Sequence, residues 1–237
     1  MVDYTEAQQA AIDHRDGHLQ IIACAGSGKT EVIVERVKGL LKDGVEPSGI
    51  IAFTFTDKAA AELKTRIQEA ISLEGLEIYG LAEMYIGTIH GWCLTFLQGE
   101  MNSFLKYGVL NEVQTKLLIG RNSIKSGLKD VTYLNGAATR RNQHDIRNYH
   151  AMLNILREDD IDWGEVPDDL LEALDKYRGL LHEHAVFDYS ELLCMVVEGF
   201  GLSDAEWVTA KEALTKRLKH VLVDEYQDVN PVQERLV

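Results

Sequence analysis

Apolar residues recur along this chain in two rhythms that alternate. Residues 18–23 form a short apolar run ending in a glycine-rich turn, the pattern of a buried strand. From Lys29 to Lys42, Val32, Ile33, Val37, Leu40 and Leu41 share one helical face, and Gly44 and Pro47 punctuate the end. Residues 50–55 predict a second buried strand. Residues 57–72 predict a helix, with Asp57 as N-cap and Ala60, Leu63, Ile67 and Ile71 facing inward. A third strand is predicted at 85–89, running into a helix from about Gly91, and a last one at 220–223, ending in Asp224 and Glu225. Strands alternating with helices argue for an α/β fold with a parallel sheet covered on both faces.

The middle of the chain keeps only the helical rhythm. Helices are predicted near 112–126, 143–158, 168–184, 188–199 and 203–217, with no buried strand between about 100 and 185. The stretch 127–141 reads as a loop. These changes predict a sheet domain formed by 1–95 and 186–237, carrying a helical insertion at 96–185. A further helix opens at Asn230 and Pro231 and runs to Val237, which reads as a boundary inside a longer protein.

Charge sharpens this picture. The net charge is −14, which disfavours nucleic acid over most of the surface. Residues 121–147 are the exception, with six basic side chains against two acidic ones, whereas 157–206 carry three basic against fifteen acidic. Arg121, Lys125 and Lys129 would share a helical face if the helix continued through Gly127. The three cysteines are far apart, which excludes a disulfide framework and fits a reducing, cytoplasmic setting. No apolar run is long enough to cross a bilayer, so no membrane partner is expected.

Two local patterns carry chemistry. Ala23, Cys24, Ala25, Gly26, Ser27, Gly28, Lys29 and Thr30 match a phosphate-binding loop, with Ala23 in place of the first glycine. Such a turn aims backbone N–H groups and a helix N-terminus at phosphate oxygens. Lys29 would reach the β- and γ-phosphates of ATP, and Thr30 would offer its hydroxyl to Mg²⁺. The second pattern is Asp224 and Glu225 at the end of a predicted strand. Asp224 would hold Mg²⁺, and Glu225 would orient and deprotonate the attacking water, which implies hydrolysis.

With Tyr226, Gln227 and Asp228, this pair resembles the D-E-x-Q-D box of the UvrD/Rep/PcrA DNA helicases of superfamily 1. Residues 4–12 resemble that family's Q motif, 53–60 its T-F-T-N-K-A-A motif, 86–91 its G-T-F-H box and 187–193 its D-F-x-x-L-L segment. The resemblance implies a RecA-like sheet, incomplete at the C-terminus, because the strand after Asp224 normally inserts between the Asp224 strand and the phosphate-loop strand. It implies an ATP-binding motor domain that drives 3′-to-5′ translocation on single-stranded DNA, and unwinding at duplex junctions, with DNA repair among the expected settings. The second RecA-like domain of such a motor would lie beyond Val237. Gln8 would read the adenine edge. Gln227, with Asp228, would couple the γ-phosphate to the DNA site, and so joins Lys29 and Glu225 in the catalytic set. Phe55, Thr56, Asp57, Thr88 and His90 would line the DNA path, with Arg140 and Arg141 adding backbone contacts from the basic stretch.

Three positions depart from the family pattern. Asp57 stands where asparagine is usual, Glu31 where a basic residue is common, and Cys24 where glycine is common. Two other readings stand beside the helicase: an ATPase subunit of a helicase–nuclease or defence complex, and a nucleotide- or DNA-binding module without turnover as this chain alone. A kinase or GTPase would have no use for Gln8 or the D-E-x-Q-D box.

Overall fold

The computed structural model describes residues 3–24, 26–131 and 143–237. In chain order the elements are α1 (Glu6–Asp13), α2 (Lys29–Lys42), β1 (Ile50–Phe53), α3 (Asp57–Leu73), β2 (Tyr85–Gly87), α4 (Ile89–Glu100) and β3 (Gly108–Val109). There follow α5 (Glu112–Arg121), α6 (Gln143–Glu158), α7 (Asp168–Glu183), β4 (Val186–Phe187), α8 (Tyr189–Gly199), α9 (Ala205–Arg217), β5 (His220–Val223) and α10 (Pro231–Leu236). They divide into two compact units, residues 1–92 with 211–228 and residues 93–210 with 229–237.

The first unit is built on a parallel sheet in the order β2-β1-β5. β1 is buried along its length, as a central parallel strand must be. The apolar faces of α2 and α3 close over it, and Val37, Leu40, Ile50, Leu63 and Ile67 are almost wholly removed from water. Each such side chain contributes roughly 1.5–3 kcal/mol of hydrophobic stabilisation. α3 begins one residue earlier in its capping than expected. Thr56 is the N-cap, its Oγ1 accepting from Ala59 N at 3.1 Å, and Asp57 is the first helical residue, where its charge still meets the positive helix end.

The expected strand at 18–23 does not form. These residues belong to no ladder among the described residues, and Leu19, Ile21 and Ile22 are exposed, Ile22 at 89%. A strand exists only through its neighbours, and β5 pairs with β1 alone. The apolar run therefore joins no ladder ahead of the glycine-rich turn.

The second unit is mainly helical, with a core of Ile119, Leu128, Tyr149, Leu153, Ala173, Tyr177 and Leu181 drawn from α5, α6, α7 and the turns after α5. Two departures from expectation occur here. β3 and β4 form a parallel ladder, Gly108 opposite Val186 and Val109 opposite Phe187. A two-residue pairing leaves no periodic signature. Second, α5 stops at Arg121, and Gly127 follows in the left-handed region at φ 76°. A Cβ on Gly127 would sit 2.5 Å from Ala173 Cα, so the chain needs glycine to pass there. Arg121, Lys125 and Lys129 thus do not share a helical face, and Lys125 Nζ pairs with Glu183 at 2.6 and 2.9 Å. Arg140 and Arg141 lie outside the described residues.

Buried charge ties the unit together. Arg157 lies 5.3 Å from the centre of the Tyr177 ring, whose hydroxyl donates to Asp188 Oδ2 at 2.5 Å. Arg178 bridges Glu191 and Glu198 at 2.8 and 2.6 Å. No described helix is long and apolar enough to cross a membrane.

Candidate functional site

The site grows from the C-terminal edge of the three-stranded sheet, where parallel α/β folds bind ligands. β1 and β5 end in register, Phe53 opposite Val223, and the next amide, Asp224 N, donates to Phe53 O at 2.9 Å. On the other side, Thr54 N donates to Gly87 O at 2.9 Å. Asp224, Thr54 and Thr88 therefore leave the sheet at one level.

The glycine-rich turn leads into α2. Gly26 and Gly28 take positive φ of 76° and 84°, and Gly28 is the N-cap of α2, with no side chain capping the helix. The N-terminal amides of α2 are left to face an anion. Ser27 N closes the turn onto Cys24 O at 3.2 Å. Lys29 Nζ lies 3.4 Å from Ala23 O and 3.5 Å from Cys24 O, folded back over the turn. Cys24 is exposed, and Ala25 lies outside the described residues. Gln8 joins this turn from α1: its Nε2 donates to Ser27 O at 3.0 Å, while its Oε1 accepts from Thr5 N at 2.9 Å. A Cβ on Gly28 would come within 3.1 Å of that amide nitrogen.

The turn and the carboxylates meet at Thr30 and Lys29, both of which act to lower the Asp224 pKa. Burial pushes the Asp224 carboxyl above the ordinary range and the charge of Glu225 adds to this, while the Glu225 backbone N–H, Lys29 and Thr30 oppose it. Glu225 N donates to Asp224 Oδ1 at 3.0 Å, and Glu225 Oε2 accepts from Gln227 Nε2 at 2.5 Å. Glu225 itself holds a left-handed φ of 53°. Among the described residues no group of three or more His, Cys, Asp or Glu could hold a metal alone. A hydroxyl and a carboxylate suit a hard cation such as Mg²⁺, which takes its remaining ligands from water and phosphate.

The residues expected along a DNA path sit on the same sheet edge. Phe55 is 63% exposed just beyond β1, and Thr56 and Asp57 are exposed at the start of α3. Thr88 is half-buried; its Oγ1 accepts from Gly91 N at 3.1 Å, and its carbonyl accepts from Tyr85 OH at 2.9 Å. His90, in the first turn of α4, is half-buried, and burial lowers its pKa.

One cluster beside the loop is not foreshadowed by local pattern. Glu31 accepts from Arg66 Nη2 of α3 at 2.5 Å and from Tyr4 OH at 3.3 Å. The charge at position 31 is thus answered by a residue 35 positions away, which only the folded sheet brings near.

The chain is 30% identical to a probable DNA helicase of Mycoplasma pneumoniae, over 100% of this chain and 44% of that protein. It is 30% identical to the ATP-dependent DNA helicase UvrD1 of Mycobacterium bovis, over 97% of this chain and 29% of that protein. It is 26% identical to the ATP-dependent DNA helicase PcrA of Leuconostoc citreum, over 97% of this chain and 30% of that protein. The chain spans less than half the length of these relatives. Residues 4–237 match the UvrD/REP helicase N-terminal domain, and the chain belongs to that family.

Proposed function

We propose that this chain is the first motor domain of an ATP-driven DNA helicase, binding Mg-ATP in its first unit and coupling hydrolysis to 3′-to-5′ movement on single-stranded DNA. The observation that carries the reading is the junction of the glycine-rich turn with the carboxylate pair. Thr30 meets Asp224, Lys29 bears electrostatically on the same carboxylate, and Glu225 follows at once. The N-terminal amides of α2 and Lys29 would bind the phosphates, displacing the lysine from the carbonyls of Ala23 and Cys24. Thr30 and Asp224 would hold Mg²⁺, which supplies charge neutralisation at the phosphates. Glu225 would take a proton from water, and Gln227, already bonded to it, would orient it. Gln8 supports ATP as the nucleotide, because its amide is anchored on the loop that would hold the phosphates. Exposed Phe55 offers a face on which a base can stack. Movement along DNA would require a second domain, in keeping with the greater length of the relatives.

Glu225→Gln in the full-length protein tests this reading. The amide has the same shape and cannot take the water's proton, so Mg-ATP binding is kept and hydrolysis lost. Turnover equal to wild type would remove Glu225 from the role of base.

A further inference from the structure

A side chain of β2 holds the turn that follows the strand. Thr88 comes directly after β2, and both its oxygens are engaged. Its Oγ1 accepts from Gly91 N at 3.1 Å; its carbonyl accepts from Trp92 N at 3.0 Å and from the Tyr85 hydroxyl at 2.9 Å. The first two bonds are those of a helix cap. The third comes from three residues earlier, on the strand. The Tyr85 ring meets the buried Phe53 of β1 edge to face, with ring centres 6.2 Å apart. Tyr85 therefore packs on the sheet with its ring and reaches forward across the turn with its hydroxyl.

That hydroxyl accounts for two glycines. A Cβ on Gly87 would stand 2.5 Å from the phenol oxygen, and one on Gly91 would stand 2.7 Å from it. Neither glycine takes a left-handed φ, so what each supplies is room for the hydroxyl to pass. Both belong to the stretch resembling the G-T-F-H box, and Tyr85 stands just before it. β2 is the outer strand of its sheet, and Gly87 is its last paired residue. Thr88 belongs to no ladder. The sheet makes its last bond at Gly87 O, which accepts from Thr54 N, and the Tyr85 bond is the next tie between strand and turn. We infer that Tyr85 is a positioning residue for single-stranded DNA. By holding the Thr88 carbonyl it fixes the direction in which Thr88, and His90 two residues on, leave the sheet edge. The inference rests on the motor reading above, in which those two residues line the DNA path.

The experiment measures ATP turnover of the full-length protein against increasing oligothymidylate, an unpaired single strand. Its readouts are the DNA concentration for half-maximal stimulation and KM for ATP, neither of which depends on the folded fraction. Tyr85→Phe keeps the ring against Phe53 and removes only the hydroxyl. It is expected to raise the half-saturating DNA concentration about fivefold, the scale of one hydrogen bond, while KM for ATP changes by less than about twofold. A variant that is merely less stable moves neither value. Thr88→Ala and His90→Ala report on the DNA path itself. If either of them weakens DNA and Tyr85→Phe does not, the inference is overturned and the motor reading stands. A KM for ATP that rises as far as the DNA value in Tyr85→Phe also overturns it, because the effect is then not confined to the DNA path. If neither Thr88→Ala nor His90→Ala changes the DNA value, the turn is not on that path, and the inference falls with it. A wild-type protein with no DNA-stimulated turnover would sink the motor reading itself.

Discussion

Arg157 and Asp188 face each other with two parallel hydrogen bonds, Nη1 to Oδ1 and Nη2 to Oδ2, both 2.8 Å, and each side chain is 3% exposed. The guanidinium holds the Asp188 carboxyl below its ordinary range against the opposing effect of burial. Removing one member leaves the other charged, buried and unpaired. Arg157→Ala should therefore destabilise the protein by about 3–5 kcal/mol. Urea denaturation monitored by circular dichroism checks this, and a loss under about 1 kcal/mol would mean that water or Arg178 takes over the pairing.

Gly127→Ala should cost about 2–4 kcal/mol. Overpacking against Ala173 costs roughly 1–3 kcal/mol, and a side chain in the left-handed region adds about 1 kcal/mol. The same measurement applies. A neutral substitution would show that the turn shifts freely away from α7.

Lys29→Ala should weaken ATP binding by about 1.5–3 kcal/mol, the range for hydrogen bonds to charged groups. Calorimetry gives the affinity directly. Equal affinity in wild type and variant would remove the glycine-rich turn from nucleotide binding.

Asp57→Asn should tighten binding of single-stranded DNA. Asp57 is exposed beside Phe55 and does not cap α3, so its loss removes a repulsion of phosphate while leaving the Thr56 cap in place. The gain should be about twofold to fivefold, the scale of one exposed charge pair, and should fade with added salt. Fluorescence anisotropy at several salt concentrations measures it. Weaker binding by the variant would place Asp57 as a contact to a base or to the sugar.

His150, on α6, has its pKa lowered chiefly by burial, with Arg157 and Lys116 adding to this and Asp188 and Glu112 opposing it. The unfolded chain, with a histidine pKa of about 6.5, then binds this proton more readily than the fold does. Its contribution to stability is present above about pH 6.5 and is lost as pH falls below that through the lowered value. The urea midpoint should fall between about pH 7.5 and 5.5, and His150→Gln should fall less steeply. Equal slopes would assign the acid sensitivity to other groups.

What was legible in the sequence depended on how local each signal was. α2 runs from Lys29 to Lys42 as its apolar face predicts, and β5 occupies 220–223, because periodicity and flanking turns lie within the segment itself. Residues 18–23 carry an equally good strand pattern and form none, because strand formation needs a neighbour that the pattern does not specify. β3 and β4 fail in the opposite sense: the pairing exists, but two residues cannot show a period. At α3, Thr56 and Asp57 are adjacent and both chemically able to cap, and backbone geometry favours the first. In the site, the glycine-rich turn and the Asp224–Glu225 pair could be read as words. Their junction through Thr30, and the answer of Arg66 to Glu31, join residues far apart in sequence and became visible only with the fold.

Glu225 holds a backbone conformation that suits glycine or asparagine better than glutamate. Roughly 1 kcal/mol of folding stability is forgone to keep a carboxylate there. Selection for stability alone would drift this position toward glycine; if Glu225 is the base proposed above, selection for turnover would hold it. Libraries screened for thermal tolerance, with no demand for ATP hydrolysis, should therefore lose Glu225 early. The strained dihedral marks where heat resistance and work draw on the same reserve and pull in opposite directions.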